Sequence, residues 1–394
     1  MKYPLASSSW DDLEVNSAID VIKSGRCTMG DKVSEFENKF ANMFGSKYAI
    51  MSNSGSSANL LAVAALMYRK NGAKLNRGDE VIVSAVSWST TYYPLHQYGL
   101  KIKFVDIDSG TLNASIDELK KAITKKTKAI VAVNLLGNPN DYDELRELCS
   151  SNNIILIEDN CESMYATFGG KQCGTFGVLG TYSTFFSHHL CTVEGGVTVT
   201  DDEELYQIMI SLRAHGWTRG LPEKNFVHDK DGETFNDLFR FVLPGYNLRP
   251  NEIFAAIGTH QLDKLHGLVE IRRKNAYSFL DEVHGNNKVR NNIRTQSFHT
   301  KSDPSWFGFS MVLVGEFANR RKELVEVLYK NDIECRPIVA GNFTKNPVMS
   351  HMDCEIFGDL RNVDYIDKNG LFVGNSGVNL VNEIHFLVST LANF

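Results

Sequence analysis

The stretch Tyr48–Arg69, YAIMSNSGSSANLLAVAALMYR, indicates the fold class most directly. A short β-rich run passes through small polar residues into an apolar helical run. The free N–H groups and the dipole at such a helix start suit an anion, and Ser56 and Ser57 add hydroxyl donors. Serine also caps helices that bind nothing, so a purely structural turn remains the alternative.

The same change from strand to helix recurs along the first half of the chain. Buried strands are predicted in EVIVSAVSW, IKFVDID, KAIVAVNLLG and IILIEDN, and amphipathic helices in SIDELKKAIT and DYDELRELCS. This alternation predicts an α/β fold with a mostly parallel sheet covered by helices. Residues 217–250 lack a clear period and are predicted to form a long functional loop, followed by a helical pair at about 251–283. We therefore expect a large domain over 1–250, with an N-terminal arm, and a smaller C-terminal α+β domain with linking helices over 251–394.

Composition excludes several classes of protein. The 394 residues carry a net charge of −6, which argues against nucleic acid or an anionic membrane as the main partner. No run approaches the ~18 apolar residues of a membrane span, and the N-terminus lacks a signal-peptide core, so we expect a cytoplasmic protein. The seven cysteines are dispersed without a C-x-x-C pair, so no metal site is predicted.

Two further stretches carry groups that could do chemistry. IILIEDNCES, Ile154–Ser163, ends a buried strand in carboxylates, where ligands of parallel sheets usually bind. One carboxylate could face a ring nitrogen and keep it protonated, although a solvated strand end is the alternative. YSTFFSHHLCTVEGG, Tyr182–Gly196, places His188 and His189 at a turn, where histidines are most often structural or simply exposed.

Taken in order, these motifs resemble the nucleotide-sugar aminotransferases of the aspartate-aminotransferase (type I) pyridoxal phosphate fold. The resemblance rests on the Gly-Ser-Ser turn, a tryptophan after a strand, the strand-end aspartate, Ser183 and the Glu-Gly-Gly turn at Glu194. It implies a mixed, mostly parallel seven-stranded sheet sandwiched by helices, with a smaller C-terminal α+β domain. In that family a lysine six residues before the acidic residue of the turn binds the cofactor covalently. Here that position is His188, and no lysine lies between Lys171 and Lys224.

Histidine at this position marks a branch of the family, the nucleotide-sugar 3-dehydratases. YPLASSSWDDLE, RAHGWTR, FVLPGYNLRP and ECRPIVAGNF also resemble that branch. The resemblance implies non-covalent pyridoxamine 5′-phosphate or pyridoxal 5′-phosphate, L-glutamate as co-substrate and a GDP-linked 4-keto sugar as substrate. It further implies a homodimer with shared active sites. A related branch adds a cysteine-ligated iron–sulfur cluster, which the dispersed cysteines disfavour.

The resemblance also implies a role for individual residues. His188 would be the catalytic base, because an imidazole with an ordinary pKa of ~6.5 can take and return a proton. The cofactor would be held by Gly55, Ser56, Ser57, Trp88 on its ring face, Asp159 at its pyridine nitrogen, Glu162 near its ring hydroxyl, Ser183, and Asn247 from the other subunit. Substrates would be bound by Arg26, Cys27, Thr28, Met29, His215, Arg219, Arg249 as a carboxylate clamp, Glu334 and Arg336. Val193 stands where the family usually has glycine.

Three other functions remain open at this point. The chain could dehydrate a different 4-keto sugar, such as a GDP-linked heptose, because the residues do not distinguish C6 substituents. It could be a non-catalytic relative that binds cofactor or nucleotide sugar as a regulator. An ordinary aminotransferase is the third alternative, although without the lysine it should turn over poorly.

Overall fold

The structure, a computed structural model, describes residues 2–394. The helices are α1 (Asp12–Ser24), α2 (Asp31–Phe44), α3 (Gly55–Tyr68), α4 (Ser89–Gln97), α5 (Ile116–Ala122), α6 (Tyr142–Ser151), α7 (Glu203–Arg213), α8 (Thr234–Asp237), α9 (Glu252–Gly285), α10 (Asn287–Asn292), α11 (Arg321–Lys330), α12 (Arg361–Asn369) and α13 (Val381–Asn393). The strands are β1 (Tyr48–Ser52), β2 (Glu80–Ser84), β3 (Lys101–Val105), β4 (Thr127–Val133), β5 (Ile155–Asp159), β6 (Thr167–Phe168), β7 (Lys171–Gln172), β8 (Leu179–Ser183), β9 (Gly196–Thr200), β10 (Ile293–Arg294), β11 (Ser302–Asp303), β12 (Gly308–Leu313), β13 (Cys335–Arg336), β14 (Cys354–Ile356) and β15 (Gly370–Gly374).

The main sheet has the strand order β1-β9-β8-β5-β4-β2-β3-β14. Every neighbouring pair is parallel except the two that involve β9. Seven of these strands come from residues 48–200, and the eighth, β14, extends the edge beside β3. Successive residues of β2 belong to opposite cores: Val81 and Val83 pack on the α3–α4 side, and Ile82 on the α5–α6 side. The predicted helix-covered, mostly parallel sheet is confirmed.

The smaller C-terminal domain is built on an antiparallel sheet with the order β10-β12-β15-β13. The N-terminal arm belongs to this domain's core, because Tyr3 is fully buried there and pairs with Ile333. The Tyr3 hydroxyl donates to the carbonyl of Gly374 at 3.0 Å. The arm and β14 therefore both cross the boundary expected near residue 250.

The helical pair expected at 251–283 is wrong, because these residues form one 34-residue helix, α9. Asn251 caps it through the N–H of Phe254, and a buried stripe continues past Gly267 from Ala255 to Val283. The first half of the stripe packs against α1 and α2, and the second half against α10 and α13. One continuous buried stripe thus packs against both domains, so the helix continues without interruption between them.

The predicted irregular segment 217–250 contains one short helix, α8, residues in isolated β-bridges at Trp217, Phe241 and Asn247, and otherwise turns, bends and irregular backbone. Several of its aromatic side chains are exposed, including Phe235, Phe239 and Phe241. Across the described residues 2–394, none of the helices has the length and apolar character needed to cross a bilayer.

The buried arm generates a stability prediction. Tyr3→Ala should lower the free energy of unfolding by about 3–5 kcal/mol, because it empties a fully enclosed aromatic site. Tyr3→Phe should cost only about 1 kcal/mol, the value of its single hydrogen bond. Urea unfolding followed by circular dichroism measures both. A loss of about 1 kcal/mol or less in Tyr3→Ala would contradict the packing of this ring in the core.

Candidate active site

One cavity of about 500 Å³ lies where the carboxyl ends of β4, β5 and β8 meet the starts of α3 and α4. Its floor comes from the main sheet, and one wall comes from the smaller domain and the N-terminal arm. It is lined by Leu5, Ser54, Gly55, Ser56, Asn59, Ser87, Trp88, Thr90, Thr91, Val133, Asp159, Cys161, Glu162, Ser183, Phe185, Ser187, His188, Glu194, Phe307, Arg336, Val339 and Phe372. Among these described lining residues there is no lysine. A second, more open cavity near residues 154–156 contains none of the predicted site residues.

The start of α3 gives the cavity an anion-binding end. The Ser54 hydroxyl caps the helix by accepting the N–H of Ser57 at 3.1 Å, and Ser56 donates to Thr90 at 2.9 Å. Gly55 is required by close packing, since a Cβ there would lie 2.7 Å from the Cβ of Ser183. The 14-residue helix therefore directs its first N–H groups into the cavity, a geometry that fits a phosphate.

Asp159 lies at the end of β5 and is held by three donors. Its Oδ2 accepts from Asn59 Nδ2 at 2.9 Å and from the Thr91 hydroxyl at 2.7 Å. Its Oδ1 accepts the N–H of Cys161 at 3.1 Å. These bonds fix the carboxylate and stabilise its charge, which suits it to pair with a protonated ring nitrogen.

The adjacent carboxylate, Glu158, points to the other face of the strand, as alternation along a strand requires. It is fully buried and accepts the N–H groups of Gly174, Phe176 and Gly177. Burial raises its pKa above the ordinary value despite these donors. Glu158 is therefore a structural residue that organises the turn before β8.

Trp88 immediately precedes α4 and has 59% of its surface exposed in the single chain. An indole this exposed at the edge of a cavity is not explained by core packing, because burial of a large apolar ring is favourable. Its position on the cavity wall leaves a flat face for an aromatic ligand.

His188 occupies the turn between β8 and β9, with its half-buried ring in the cavity. The ring packs edge-on against Phe307 at 5.0 Å and Phe185 at 5.8 Å between centroids. Its Nδ1 is enclosed without a hydrogen-bond partner, which leaves Nε2 as the nitrogen open to the cavity. Desolvation, and secondarily the charge of Arg272, lowers the pKa of His188 to about 3, so the ring is neutral near pH 7.

The rest of the turn is held from behind. His189 points away from the cavity, with its Nε2 3.0 Å from the carbonyl oxygen of Ser305, which agrees with a packing role. Val193 has φ +73°, a conformation that strains a β-branched residue and favours glycine. This positive φ explains why the family resemblance implies a glycine at this position.

Glu162 lines the cavity close to Asp159. Its Oε2 accepts the N–H of Leu136 at 3.0 Å. Desolvation raises the pKa of Glu162 to about 7, the Asp159 charge adds to this rise, and the Leu136 N–H opposes it. A protonated Glu162 is close in shape to glutamine and carries one O–H donor, where glutamine carries two N–H donors.

The structure thus brings eight of the predicted residues to one cavity: Gly55, Ser56, Trp88, Asp159, Glu162, Ser183, His188 and Arg336. Ser57 lies just beneath the turn, where its hydroxyl donates to Asn53 at 2.6 Å. The carboxylate of Glu334 accepts the N–H of Leu5 at 2.8 Å, so it orders the arm that supplies a cavity wall.

The remaining predicted residues lie elsewhere in the single chain. Arg219 and Arg249 sit over the Trp217 ring at 4.4 and 5.9 Å from its centroid, with His215 beside it. Arg249 also donates to the Asn247 side chain at 3.0 Å. Residues 26–29 precede α2, where Thr28 pairs with Asn251. The roles of both groups remain predictions. If the active site is shared between subunits, residues that lie outside this cavity in one chain would complete the cavity of the other.

Sequence reasoning missed Asn59 and Thr91, the two side chains that hold Asp159. A signal was present for each of them. Asn59 is the one amide in the apolar helical run that follows the Gly-Ser-Ser turn, and Thr91 follows Trp88 by nearly one helical turn. Polar residues at those positions face the strand end that carries the aspartate.

The raised pKa of Glu162 predicts a pH-dependent stability difference. The unfolded carboxyl loses its proton near 4.5 and the folded one near 7, so native stability falls as the pH rises between them. Glu162→Gln should therefore melt at the same temperature as wild type at pH 4 and at a higher temperature at pH 8. Differential scanning calorimetry of the cofactor-free proteins measures this. A constant difference across that range would contradict the assigned pKa.

Comparison with known proteins agrees with this geometry. Residues 9–372 match the DegT/DnrJ/EryC1/StrS aminotransferase family. The chain is 53% identical over 393 residues to the GDP-4-keto-6-deoxy-D-mannose 3-dehydratase of Escherichia coli O55:H7 (strain CB9615 / EPEC), covering 99% of this chain and 100% of that protein.

Two crystal structures of GDP-4-keto-6-deoxymannose-3-dehydratase superpose with a TM-score of 0.95. One is an H188N mutant with bound GDP-perosamine, 53% identical, and the other contains a trapped PLP-glutamate geminal diamine and is 52% identical. Each alignment covers 99% of this chain and 100% of the other. The chain therefore belongs to the DegT/DnrJ/EryC1/StrS aminotransferase family.

Proposed function

We propose that this protein removes the C3 hydroxyl of GDP-4-keto-6-deoxy-D-mannose to give GDP-4-keto-3,6-dideoxy-D-mannose, as a pyridoxamine-phosphate-dependent 3-dehydratase. L-Glutamate regenerates the cofactor, and ammonia is released. The product lies on a route to a dideoxysugar, colitose, of lipopolysaccharide O-antigen. The observation that carries this proposal is His188, an imidazole in an aminotransferase cavity whose described lining residues include no lysine.

The residues present fit the cofactor. The start of α3 and Ser183 would hold its phosphate, the exposed face of Trp88 would stack on its ring, and Asp159 would pair with its pyridine nitrogen. When bound, pyridoxamine phosphate supplies the amine that reacts with the C4 ketone and the electron sink for breaking the C3–O bond. With His188 in place of lysine, these contacts are the whole of the attachment.

His188 would transfer the protons. Its neutral ring can accept a proton at Nε2 from the cofactor carbon that bears the amine. The same nitrogen, once protonated, can deliver that proton to the departing C3 hydroxyl. To exchange protons with both the cofactor carbon and the C3 hydroxyl, the imidazole must keep a fixed orientation. Its packing against Phe307 and Phe185 fixes that orientation.

The substrates would be bound by cationic and polar side chains in and beyond this cavity. Arg336 projects from the smaller domain into it and offers a guanidinium for a carboxylate or a phosphate. The displaced cluster around Trp217, with His215, Arg219, Asn247 and Arg249, would reach the cavity of the partner subunit in a homodimer. This dimer, the carboxylate-clamp role of Arg249 and a cytoplasmic location stay predictions.

Each alternative has a distinguishing outcome. A dehydratase gives a sugar nucleotide one oxygen atom lighter, because the C3 hydroxyl leaves as water. Hydrolysis consumes water when glutamate becomes 2-oxoglutarate and ammonia, so the overall reaction balances. An aminotransferase gives a product that contains an additional nitrogen, and a regulator leaves the sugar unchanged. A GDP-linked 4-keto heptose that reacts faster than the 6-deoxyhexose would favour the other dehydratase.

The experiment is mass spectrometry of the products from purified protein, glutamate, pyridoxal phosphate and a panel of GDP-linked 4-keto sugars. We expect a 3-deoxy product from GDP-4-keto-6-deoxy-D-mannose and 2-oxoglutarate in equal amount. An aminated sugar, or no consumption of sugar with the cofactor loaded, would contradict the proposed function.

His188→Asn separates proton transfer from cofactor binding. General base catalysis contributes about 10²–10⁴-fold, so the variant should lose at least about 10²-fold in rate with both glutamate and sugar. It should still bind pyridoxamine phosphate, because asparagine removes none of the contacts at α3, Trp88 or Asp159. Stopped-flow absorbance of each half-reaction measures this. Wild-type speed with glutamate would show that another residue moves the proton.

A further inference from the structure

Arg272 is a buried cation at the point where the catalytic turn meets the smaller domain. It lies in α9, with 4% of its surface exposed. Its guanidinium donates to three backbone carbonyls: Asn375 at 2.5 Å and Phe307 at 3.3 Å through Nη1, and His188 at 3.3 Å through Nη2. One side chain thus joins the residue that carries the imidazole to two segments of the other domain.

The charge of Arg272 has no carboxylate partner among the described residues. The adjacent Arg273 provides the contrast, since it pairs with Glu270 at 2.6 Å and Asp303 at 2.8 Å. Burying an unpaired cation is costly, and burial lowers the pKa of Arg272 to about 10. Its Nε also has no hydrogen-bond partner. Because burying this unpaired charge lowers the stability of the fold, Arg272 must have a role other than stabilisation.

The orientation of His188 supplies that role. Catalytic histidines are usually aligned by a hydrogen bond on the second ring nitrogen, but Nδ1 of His188 has none. The other hydrogen bonds from this turn to distant segments come from residues that follow His188. His189 bonds to Ser305, and Cys191 bonds to Gln261 and Trp10. Arg272 alone among the described side chains bonds to the backbone of residue 188, and it also bonds to Phe307, against which the ring packs.

We propose that Arg272 is a positioning residue for His188. One guanidinium holds the backbone carbonyls of both His188 and Phe307. It thereby holds the imidazole of His188 against the Phe307 ring without a hydrogen bond to the imidazole itself. This inference rests on the proton transfer assigned to His188 in the proposed function.

The position of the charge adds a second effect. Arg272 bonds to the backbone of His188, and its charge contributes to the lowered pKa of His188. The other charged or titratable groups around the ring are His189 in the same turn and, along the cavity, Asp159, Cys161, Glu162, Glu194 and Arg336. Removing the Arg272 charge should therefore move the pKa of His188 upward.

The first test is a double-mutant cycle on the glutamate half-reaction, which needs no sugar. Arg272→Met should slow it by at least about tenfold, with the dissociation constant of pyridoxamine phosphate changed by less than about twofold. In a His188→Asn background the same substitution should have less than about a twofold further effect, because both residues act on one proton transfer. Arg273→Met, a neighbouring buried arginine that does not contact His188, is the matched control for folding and should leave the rate near wild type.

Equal loss of rate with and without His188 would overturn the proposal, because Arg272 would then act only through general structure. If Arg272→Met does not fold, Arg272→Lys carries the test. Lysine keeps the charge but replaces the fork of donors, so the rate should still fall several-fold. A wild-type rate in Arg272→Lys would also overturn the proposal.

The second test needs no activity. Histidine-selective NMR of the cofactor-free protein should show a neutral His188 down to pH 5, and Arg272→Met should raise its pKa while Arg272→Lys leaves it low. An unchanged pKa in Arg272→Met would contradict the assigned proximity. Because this titration requires neither sugar nor cofactor, it distinguishes failure of the Arg272 inference from failure of the proposed function.

Discussion

An imidazole cannot form an imine with an aldehyde cofactor, and this constraint at residue 188 determines what the rest of the cavity has to provide. In a lysine enzyme the phosphate site, the stacked ring and the strand-end carboxylate supplement a covalent bond. Here they would form the entire attachment. The structure places the start of α3, the exposed face of Trp88 and the three-donor cradle of Asp159 around one space, which is the set that such an attachment needs.

The cavity depends on elements that are far apart along the chain. The main sheet supplies Asp159 and Ser183, and the smaller domain supplies Phe307 and Arg336. The N-terminal arm supplies Leu5, held in place by Glu334 and anchored by the buried Tyr3. Helix α9 packs against elements of both domains and carries Arg272 to the His188 turn. A change in the packing of the two domains would therefore move the wall against which the imidazole lies.

Local sequence patterns predicted the parts of the fold and site that local physics determines. The buried run before Asp159 and the small residues before α3 are such patterns. His188, by contrast, was identified through the family resemblance, which implies a lysine six residues before the acidic residue of the turn. Long-range contacts had no local signal. The single helix α9 depends on a stripe shared by two domains, and the structural role of Glu334 depends on an arm more than three hundred residues away. In the sequence, Arg272 has the pattern of an ordinary helix cation; its role depends on three backbone carbonyl partners that are distant along the chain.

The most direct measurement of the central claim is the intact mass of the cofactor-loaded protein after borohydride reduction. Wild-type protein should keep the mass of the polypeptide alone, because the imidazole of His188 forms no imine with the cofactor that borohydride could reduce. His188→Lys is the positive control and should gain one pyridoxyl phosphate group. A stable pyridoxyl phosphate adduct on a lysine of the wild-type protein would contradict the account.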